Sequence, residues 1–252
     1  MAALLANAAA AEDDRSVLRV HVVVALCDNE HQGIVPVRAE LGNGDDPARN
    51  LYWGARYGVK AFFVRARGWK LLTSAGPGEG DVLERVVFRR RIGDRTVYLL
   101  AEAYRGRAIR AATEAFLAMA AGQRPMQVEV DGTTHAFGAG ADLVAYVGHD
   151  GLMDFAIDDP PAWREGSGHR DVIILACAGK RHFAPALRRA KARPLVWSTG
   201  LMAAEAYPLH AALEGWARGE TAEAVRARSA RAYAKYQKCS EAAAMRLLVS
   251  GW

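Results

Sequence analysis

The fold class is decided by one apolar stretch, Val17-Leu18-Arg19-Val20-His21-Val22-Val23-Val24-Ala25-Leu26. Its β-branched residues favour a strand, and the run is too short for a buried helix. Because a strand that is apolar on both faces is typical of the interior of a parallel sheet, we expect this one at the centre of the fold. A polar stretch, Cys27–Gly33, follows directly and ends the strand.

Three further apolar runs continue the pattern, and helical segments lie before, between and after them. The runs are Leu143–Val147, Val172–Ala176 and the shorter Leu195–Trp197. Apolar residues at helical spacing, or segments rich in Ala, Leu and Arg, predict helices at Arg107–Ala121, Pro185–Ala192, Glu205–Arg218 and Ala222–Leu248. Strands that alternate with helices predict an α/β fold, a three-layer sandwich with a mostly parallel central sheet.

Smaller elements are predicted between the first strand and the later ones. Asp46-Pro47 is a good start for a helix, which we expect to run as far as Gly58. The next residues, Val59–Arg65, read as a second strand. The turn dipeptides Gly93-Asp94 and Asp131-Gly132, each flanked by apolar runs, predict two hairpins.

The alternating elements form one predicted domain, residues 17–252. Residues 1–16 are Ala-rich and lack the basic start of a signal peptide, so we expect a disordered or helical leader. The remnant of a processed export signal is an alternative, which leaves the localisation open with the cytoplasm slightly favoured. No apolar run reaches the ~18 residues that a membrane span requires, so no membrane partner is expected.

Charge and cysteine content exclude several classes of protein. The net charge is +5, yet the one dense basic cluster, Arg89–Arg91, precedes the predicted turn at Gly93-Asp94 and is typical of a solvated strand end. Since zinc-finger spacing and basic–aromatic RNA motifs are both missing from the sequence, we expect no nucleic-acid partner. Three cysteines exclude a disulfide scaffold and allow a single functional thiol.

Two of the predicted core strands end in residues that together can perform nucleophilic chemistry. His149 follows the run that ends at Val147, and Cys177 follows the run that ends at Ala176. The carboxyl ends of parallel strands are where such sheets bind ligands. A thiol becomes a nucleophile when a base lies beside it, so a neighbouring histidine is the partner that Cys177 requires.

These strand ends carry a family resemblance. The segments Tyr146-Val147-Gly148-His149-Asp150-Gly151 and Leu175-Ala176-Cys177-Ala178-Gly179 resemble the caspase-like cysteine peptidases, which include caspases, metacaspases, gingipains, separases and CHAT domains. The likeness covers residues 17–235 in outline. It implies a caspase-like fold, a peptide or protein substrate and no cofactor; nothing in the sequence indicates an oligomeric state.

The resemblance also implies roles for individual residues. Cys177 would attack the carbonyl and His149 would act as general acid–base, with the oxyanion near the N–H groups of Cys177 and of Asp150 or Gly151. Three further residues are expected to bind substrate: Arg38, Trp197 and Ser198. Arg38 stands where acid-directed relatives carry a pocket arginine, whereas Trp197 ends, and Ser198 follows, the strand that leads into the primary specificity pocket. A solvated Arg38 and a Trp197 that belongs to the core are the alternatives.

Two other functions stay open from the sequence. A caspase-like domain without activity would serve as a binding or scaffold module. A metal-binding α/β protein would use Cys27 and His31, whose spacing at a strand end offers two ligands.

Overall fold

A computed structural model describes residues 16–78 and 80–252, so all of the predicted leader except Ser16 lies outside the described residues. Six α-helices occur in the described part of the chain: α1 (Val59–Arg65), α2 (Ile109–Ala120), α3 (Gly179–Arg189), α4 (Ala206–Ala217), α5 (Ala222–Gln237) and α6 (Glu241–Leu247). Ten strands accompany them: β1 (Val17–Ala25), β2 (Lys70–Ala75), β3 (Val82–Ile92), β4 (Arg95–Tyr104), β5 (Pro125–Val130), β6 (Thr133–Gly138), β7 (Leu143–Val147), β8 (Asp171–Leu175), β9 (Arg193–Ser198) and β10 (Leu248–Val249).

Eight of the strands form one mixed sheet in the order β10-β9-β8-β7-β1-β4-β3-β2. The five strands from β9 to β4 are parallel to one another, and β2, β3 and β10 add antiparallel edges. The first strand lies at the centre, as its apolar sequence predicts, because it pairs with β4 on one side and β7 on the other. The α/β fold with a mostly parallel sheet is therefore confirmed.

Helices cover both faces of this sheet. Side chains of β1 alternate between the faces: Val22 and Val24 pack in the core under α1, α4, α5 and α6, whereas Val23 and Ala25 pack in the core under α2 and α3. Every one of these four side chains is fully buried. The result is the predicted arrangement of three layers.

Two predicted elements are wrong. Val59–Arg65 is the helix α1 and not a strand, because Val59 and Phe63, four residues apart, are both buried on one helical face. The segment from Asp46 to Gly58 consists of turns and not a helix. Its Asn50 side chain holds the backbone of Cys27 with two hydrogen bonds, of 3.0 and 2.8 Å, and such bonds compete with a helix.

Two other boundaries also differ from the prediction. Residues 70–75 form the exposed edge strand β2, which is not among the strands predicted from the sequence. The single helix predicted over Ala222–Leu248 is interrupted, because Lys238 adopts a left-handed conformation and Ser240 caps a new helix through the N–H of Ala243.

No helix in the described part of the chain combines the length and apolar character of a membrane span.

A buried polar network fixes the β5–β6 hairpin against the sheet. His21 of β1 accepts the N–H of Gly138 at Nδ1 (3.0 Å) and contacts Glu102 of β4 at Nε2 (3.0 Å). Arg85 of β3 binds the second oxygen of Glu102 through two nitrogens, at 2.9 and 2.6 Å. Since His21 and Glu102 are fully buried, the network replaces the hydration that these groups lose on folding.

Candidate active site

His149 and Cys177 lie at equivalent positions beyond two adjacent parallel strands. Val147 of β7 is paired with Leu175 of β8, and each of the two candidate residues follows its strand by two positions. The N–H of Gly148 donates to the carbonyl of Leu175 at 3.2 Å, which keeps the strand ends together past the last pair. The structure therefore brings both predicted catalytic residues to the same edge of the sheet.

Gly148 itself is required by the backbone at this point. Its φ of +147° is a conformation that side chains disfavour, and a Cβ here would lie 2.7 Å from the carbonyl oxygen of Ala25. The ends of β7 and β1 consequently approach each other more closely than any larger residue would permit.

Cys177 lies at a sharp corner between β8 and α3. Ala178 has a left-handed conformation with φ +49°, and α3 begins at Gly179. The N–H of Met202 donates to the Cys177 sulfur at 3.4 Å, and the thiol donates to the carbonyl of Met202 at 3.5 Å. The side chain is only half-buried, and the positive end of the α3 dipole favours negative charge beside it.

His149 is held from one side by a carboxylate. Its Nε2 lies 2.8 Å from Asp154 Oδ2, and the same oxygen accepts the N–H of Gly33 at 3.0 Å. Because a carboxylate only accepts, Nε2 carries the proton and Nδ1 of the neutral ring has the free lone pair. Nδ1 has no hydrogen-bond partner among the residues that the structure describes.

Asp150 points its carboxyl group into the interior. One oxygen caps the turn at Gly151 by accepting the N–H of Leu152 at 3.0 Å, and the other makes no hydrogen bond, with His182 Nδ1 at 3.8 Å. Burial raises the pKa of Asp150 to about 6, against the opposing effect of His182. The N–H groups of Asp150 and Gly151 donate none of the backbone hydrogen bonds that form the surrounding turns, so the predicted oxyanion role stays a prediction for them.

Tyr52 interacts with Cys27 through its hydroxyl. Burial, followed by the electrostatic effects of Cys27 and Cys177, raises the pKa of the Tyr52 hydroxyl, which is therefore neutral. Cys27 interacts with this hydroxyl and is fully buried, and burial raises the pKa of its thiol to about 11. Cys239 is exposed between α5 and α6. Cys177 is thus the one cysteine that combines partial exposure with the strand-end position.

The three predicted substrate-binding residues differ in placement. Arg38 is exposed in the loop after β1, and its side chain makes no hydrogen bond or ion pair with the described residues. Trp197 and Ser198 are fully buried. The Trp197 indole donates to the carbonyl of Gly251 at 3.1 Å, and the Ser198 hydroxyl binds the Gly179 N–H and the carbonyl of Ala176. Neither side chain is therefore accessible to a substrate, and Trp197 belongs to the core.

The alternative metal site is not assembled in this geometry. His31 pairs with Asp28 at 3.0 Å, whereas Cys27 is directed towards Tyr52. Among residues 16–78 and 80–252, no three His, Cys, Asp or Glu side chains are grouped so that they could hold a metal ion.

Asp154, Gly33 and Tyr52 are functional candidates that the sequence reasoning missed. Asp154 had a usable signal, because a carboxylate five residues after a strand-end histidine can fold back onto it through one turn. Gly33 and Tyr52 had none, since they reach the site from loops far away in sequence. Comparison of the chain with protein-family models, with curated proteins and with solved structures gives no significant match.

Proposed function

We propose that this chain is a cysteine-dependent peptidase of the caspase-like type, with Cys177 as nucleophile and His149 as general acid–base. The observation that carries the proposal is their common position, two residues beyond the paired ends of adjacent parallel strands. Neighbouring strands lie about 4.8 Å apart, which suits contact between side chains at their ends.

The surroundings of Cys177 support a nucleophilic role. The N–H of Met202 and the amino end of α3 both offer partial positive charge to the sulfur, and both therefore stabilise a thiolate. Because Cys177 is only half-buried, a substrate carbonyl can approach it, in contrast to the buried Cys27.

The orientation of His149 supports the acid–base role. Asp154 holds the Nε2 proton, so the free lone pair of Nδ1 is available to take a proton from the thiol. A histidinium formed in this way is stabilised by the same carboxylate. Gly33 fixes Asp154 in turn, so that the loop after β1 takes part in positioning the dyad.

In the proposed reaction, the thiol proton of Cys177 passes to His149 and the sulfur bonds to the carbonyl carbon of the substrate. N–H groups near Cys177 and Gly151 would stabilise the oxyanion. His149 then donates the proton to the leaving amine as the C–N bond breaks, which leaves a thioester. Water hydrolyses the thioester, which releases the carboxylic acid and restores the thiol.

A positional-scanning library of fluorogenic peptides tests the activity. We expect the chain to cleave a defined subset of the library and the Cys177→Ala variant to cleave none of it. Cys27→Ala is the matched control and should retain cleavage, since Cys27 is buried away from substrate. Equal cleavage by the Cys177→Ala variant and the intact chain contradicts the proposal.

Alkylation by iodoacetamide at neutral pH tests the dyad separately from any choice of substrate. Cys177 should react faster in the intact chain than in His149→Ala, with mass spectrometry used to identify the modified residue. An equal rate in both proteins argues against an activated thiol and favours the inactive binding or scaffold domain.

A further inference from the structure

A pocket separate from the candidate active site lies between α1, α4 and α5, and none of the candidate active-site residues lines it. Its volume is about 540 Å³, within the range of roughly 300–1,000 Å³ that is usual for sites of small ligands. Arg90 of β3 reaches it from the sheet, while the other charged side chains come from α1, α5 and the turns before and after α1. The pocket is thus formed by regular elements on one face of the sheet.

The charges around this pocket have one sign. Cationic side chains line it and acidic side chains do not; the cations are Arg56, Arg65, Arg67, Arg90 and Lys235. Arg90 is paired with Glu214 at 2.9 Å. The other four have no carboxylate partner among the described residues, although the guanidinium of Arg65 donates to the backbone carbonyl of Arg56.

Several arginines elsewhere in the chain are neutralised by carboxylates. Arg85 binds Glu102 at 2.6 Å, and Arg228 binds Glu220. The pocket therefore differs from such sites in gathering uncompensated positive charge around a cavity, which attracts an anion. Arginines in particular recognise phosphate, because the planar guanidinium matches its oxygens.

Aromatic rings supply the rest of the lining. Tyr207 and Tyr236 stack with ring centres 4.3 Å apart and planes at 6°, and Tyr57 and Phe62 meet Tyr236 edge-on at 5.4 and 6.2 Å. Tyr236 is 38% exposed, so part of this flat apolar surface is open to solvent. A planar ring of a ligand can pack on such a surface, because every nucleic-acid base has a flat face that stacks on aromatic side chains.

We propose that this pocket binds a nucleotide, meaning an aromatic base joined to two or more phosphates. The cations account for the phosphates, and the tyrosine cluster accounts for the base. Binding would rest on side chains, because the sequence has no glycine-rich phosphate loop of the G-x-x-x-x-G-K-[ST] type. The proposal is independent of the peptidase activity.

Isothermal titration of the full chain with ADP tests this proposal, with pyrophosphate and adenosine as the two partial ligands. We expect ADP to bind with a dissociation constant below about 100 µM at about 50 mM salt, and each partial ligand to bind at least about tenfold more weakly. No measurable ADP binding at about 1 mM, or equal affinity for pyrophosphate and ADP, overturns the proposal.

Variants distinguish ADP binding in the pocket from the general attraction of anions to a basic protein. Arg56→Gln with Arg67→Gln should weaken ADP binding at least about tenfold, and Lys235→Gln should weaken it less. Arg91→Gln is the matched control, because this exposed arginine on the β3–β4 hairpin lies outside the pocket. Tyr236→Leu should weaken the binding of ADP and leave the affinity for pyrophosphate unchanged. An equal loss of ADP binding in Arg91→Gln and the pocket variants overturns the assignment.

Discussion

Two histidine–carboxylate pairs of this molecule can be compared directly, His21 with Glu102 and His149 with Asp154. Their distances are similar, 3.0 and 2.8 Å, and both histidines are buried or nearly so. In the first pair, the N–H of Gly138 occupies the remaining ring nitrogen. In the second pair, that nitrogen has no partner among the described residues.

Under the proposed function, this difference is what separates a structural pair from a catalytic one. Both ring nitrogens of His21 have fixed protein partners inside the sheet, Glu102 and the N–H of Gly138, so neither nitrogen is free to exchange a proton with a ligand. Glu102 is in turn shared with Arg85. His149 lies at the same carboxyl edge of the sheet as Cys177, where ligands bind in open α/β folds. Burial and a carboxylate partner are common to both pairs, and the unoccupied nitrogen is the property that distinguishes them.

The largest effect is expected from His149→Ala. Loss of the general acid–base should lower kcat/KM for peptide cleavage by about 10²–10⁴-fold, while the midpoint of thermal unfolding stays close to that of the intact chain. His31→Ala is the matched control, because this exposed histidine also pairs with an aspartate, Asp28, and not with a residue of the dyad. Retained cleavage in His149→Ala would remove the distinction between the two pairs.

Glu102→Ala should act on stability. It leaves the buried His21 and the guanidinium of Arg85 without their partner, and such losses cost about 3–5 kcal/mol of unfolding free energy. Urea denaturation followed by circular dichroism measures the change. Asp45→Ala is the control and should cost less than about 1 kcal/mol, since the ion pairs of Asp45 with Arg105 and Arg107 are at the surface. Equal losses in the two variants would contradict the structural role of Glu102.

The same network predicts an acid dependence of stability. Burial alone would raise the pKa of Glu102, but the hydrogen bond and charge of His21, together with Arg85, outweigh it and lower the pKa to about 2. Because the pKa is lower in the folded state, the contribution of about 3 kcal/mol is present above pH ~4.5 and is lost as the pH falls towards ~2. Unfolding free energies of the intact chain and of Glu102→Gln, compared across this interval, should converge as the pH falls. A constant difference contradicts the prediction.

A smaller effect is expected from Asp154→Asn. The amide oxygen can still accept from His149 and Gly33, so the geometry is kept and only the charge is lost. A charge-assisted hydrogen bond is worth about 1.5–3 kcal/mol, which corresponds to a fall in kcat of about 10–100-fold. Steady-state kinetics over a range of peptide concentrations measure it, and KM should change little. A kcat equal to that of the intact chain would show that Asp154 does not position the histidine.

The part of the fold that depends on unbroken apolar runs could be predicted from the sequence. The runs that became β1, β7 and β8 are buried on both faces, so composition alone indicates a strand. The helix α1 could not be predicted in the same way. Its residues favour strands, and the helix forms because Phe63 packs against Phe88 of β3, 5.8 Å between ring centres, in a contact that is distant in sequence.

The residues of the candidate site also differ in whether the sequence predicts them. His149 and Cys177 could be placed because both follow strands whose ends meet at one edge of the sheet. Asp154 and Gly33 are 121 positions apart in sequence, and the folded loop after β1 brings them within hydrogen-bond distance. The role of Ser198 stays a prediction, because a polar residue at a strand end can also close a turn, as its hydroxyl does with the N–H of Gly179.

The central place of β1 has a consequence for the order in which the molecule folds. The strands on one side of it, β2–β4, are joined by antiparallel pairs that are close in sequence, whereas β7 meets β1 only across more than a hundred residues. Contacts of long sequence separation form late, because the entropy of closing the loop must be overcome first. We therefore expect the loop that carries Gly33 and the segment after β7 that carries His149 to meet in one of the last steps of folding. Under the proposed function, a newly synthesised chain would gain peptidase activity only after most of its structure had formed, which would limit damage to other unfinished chains nearby.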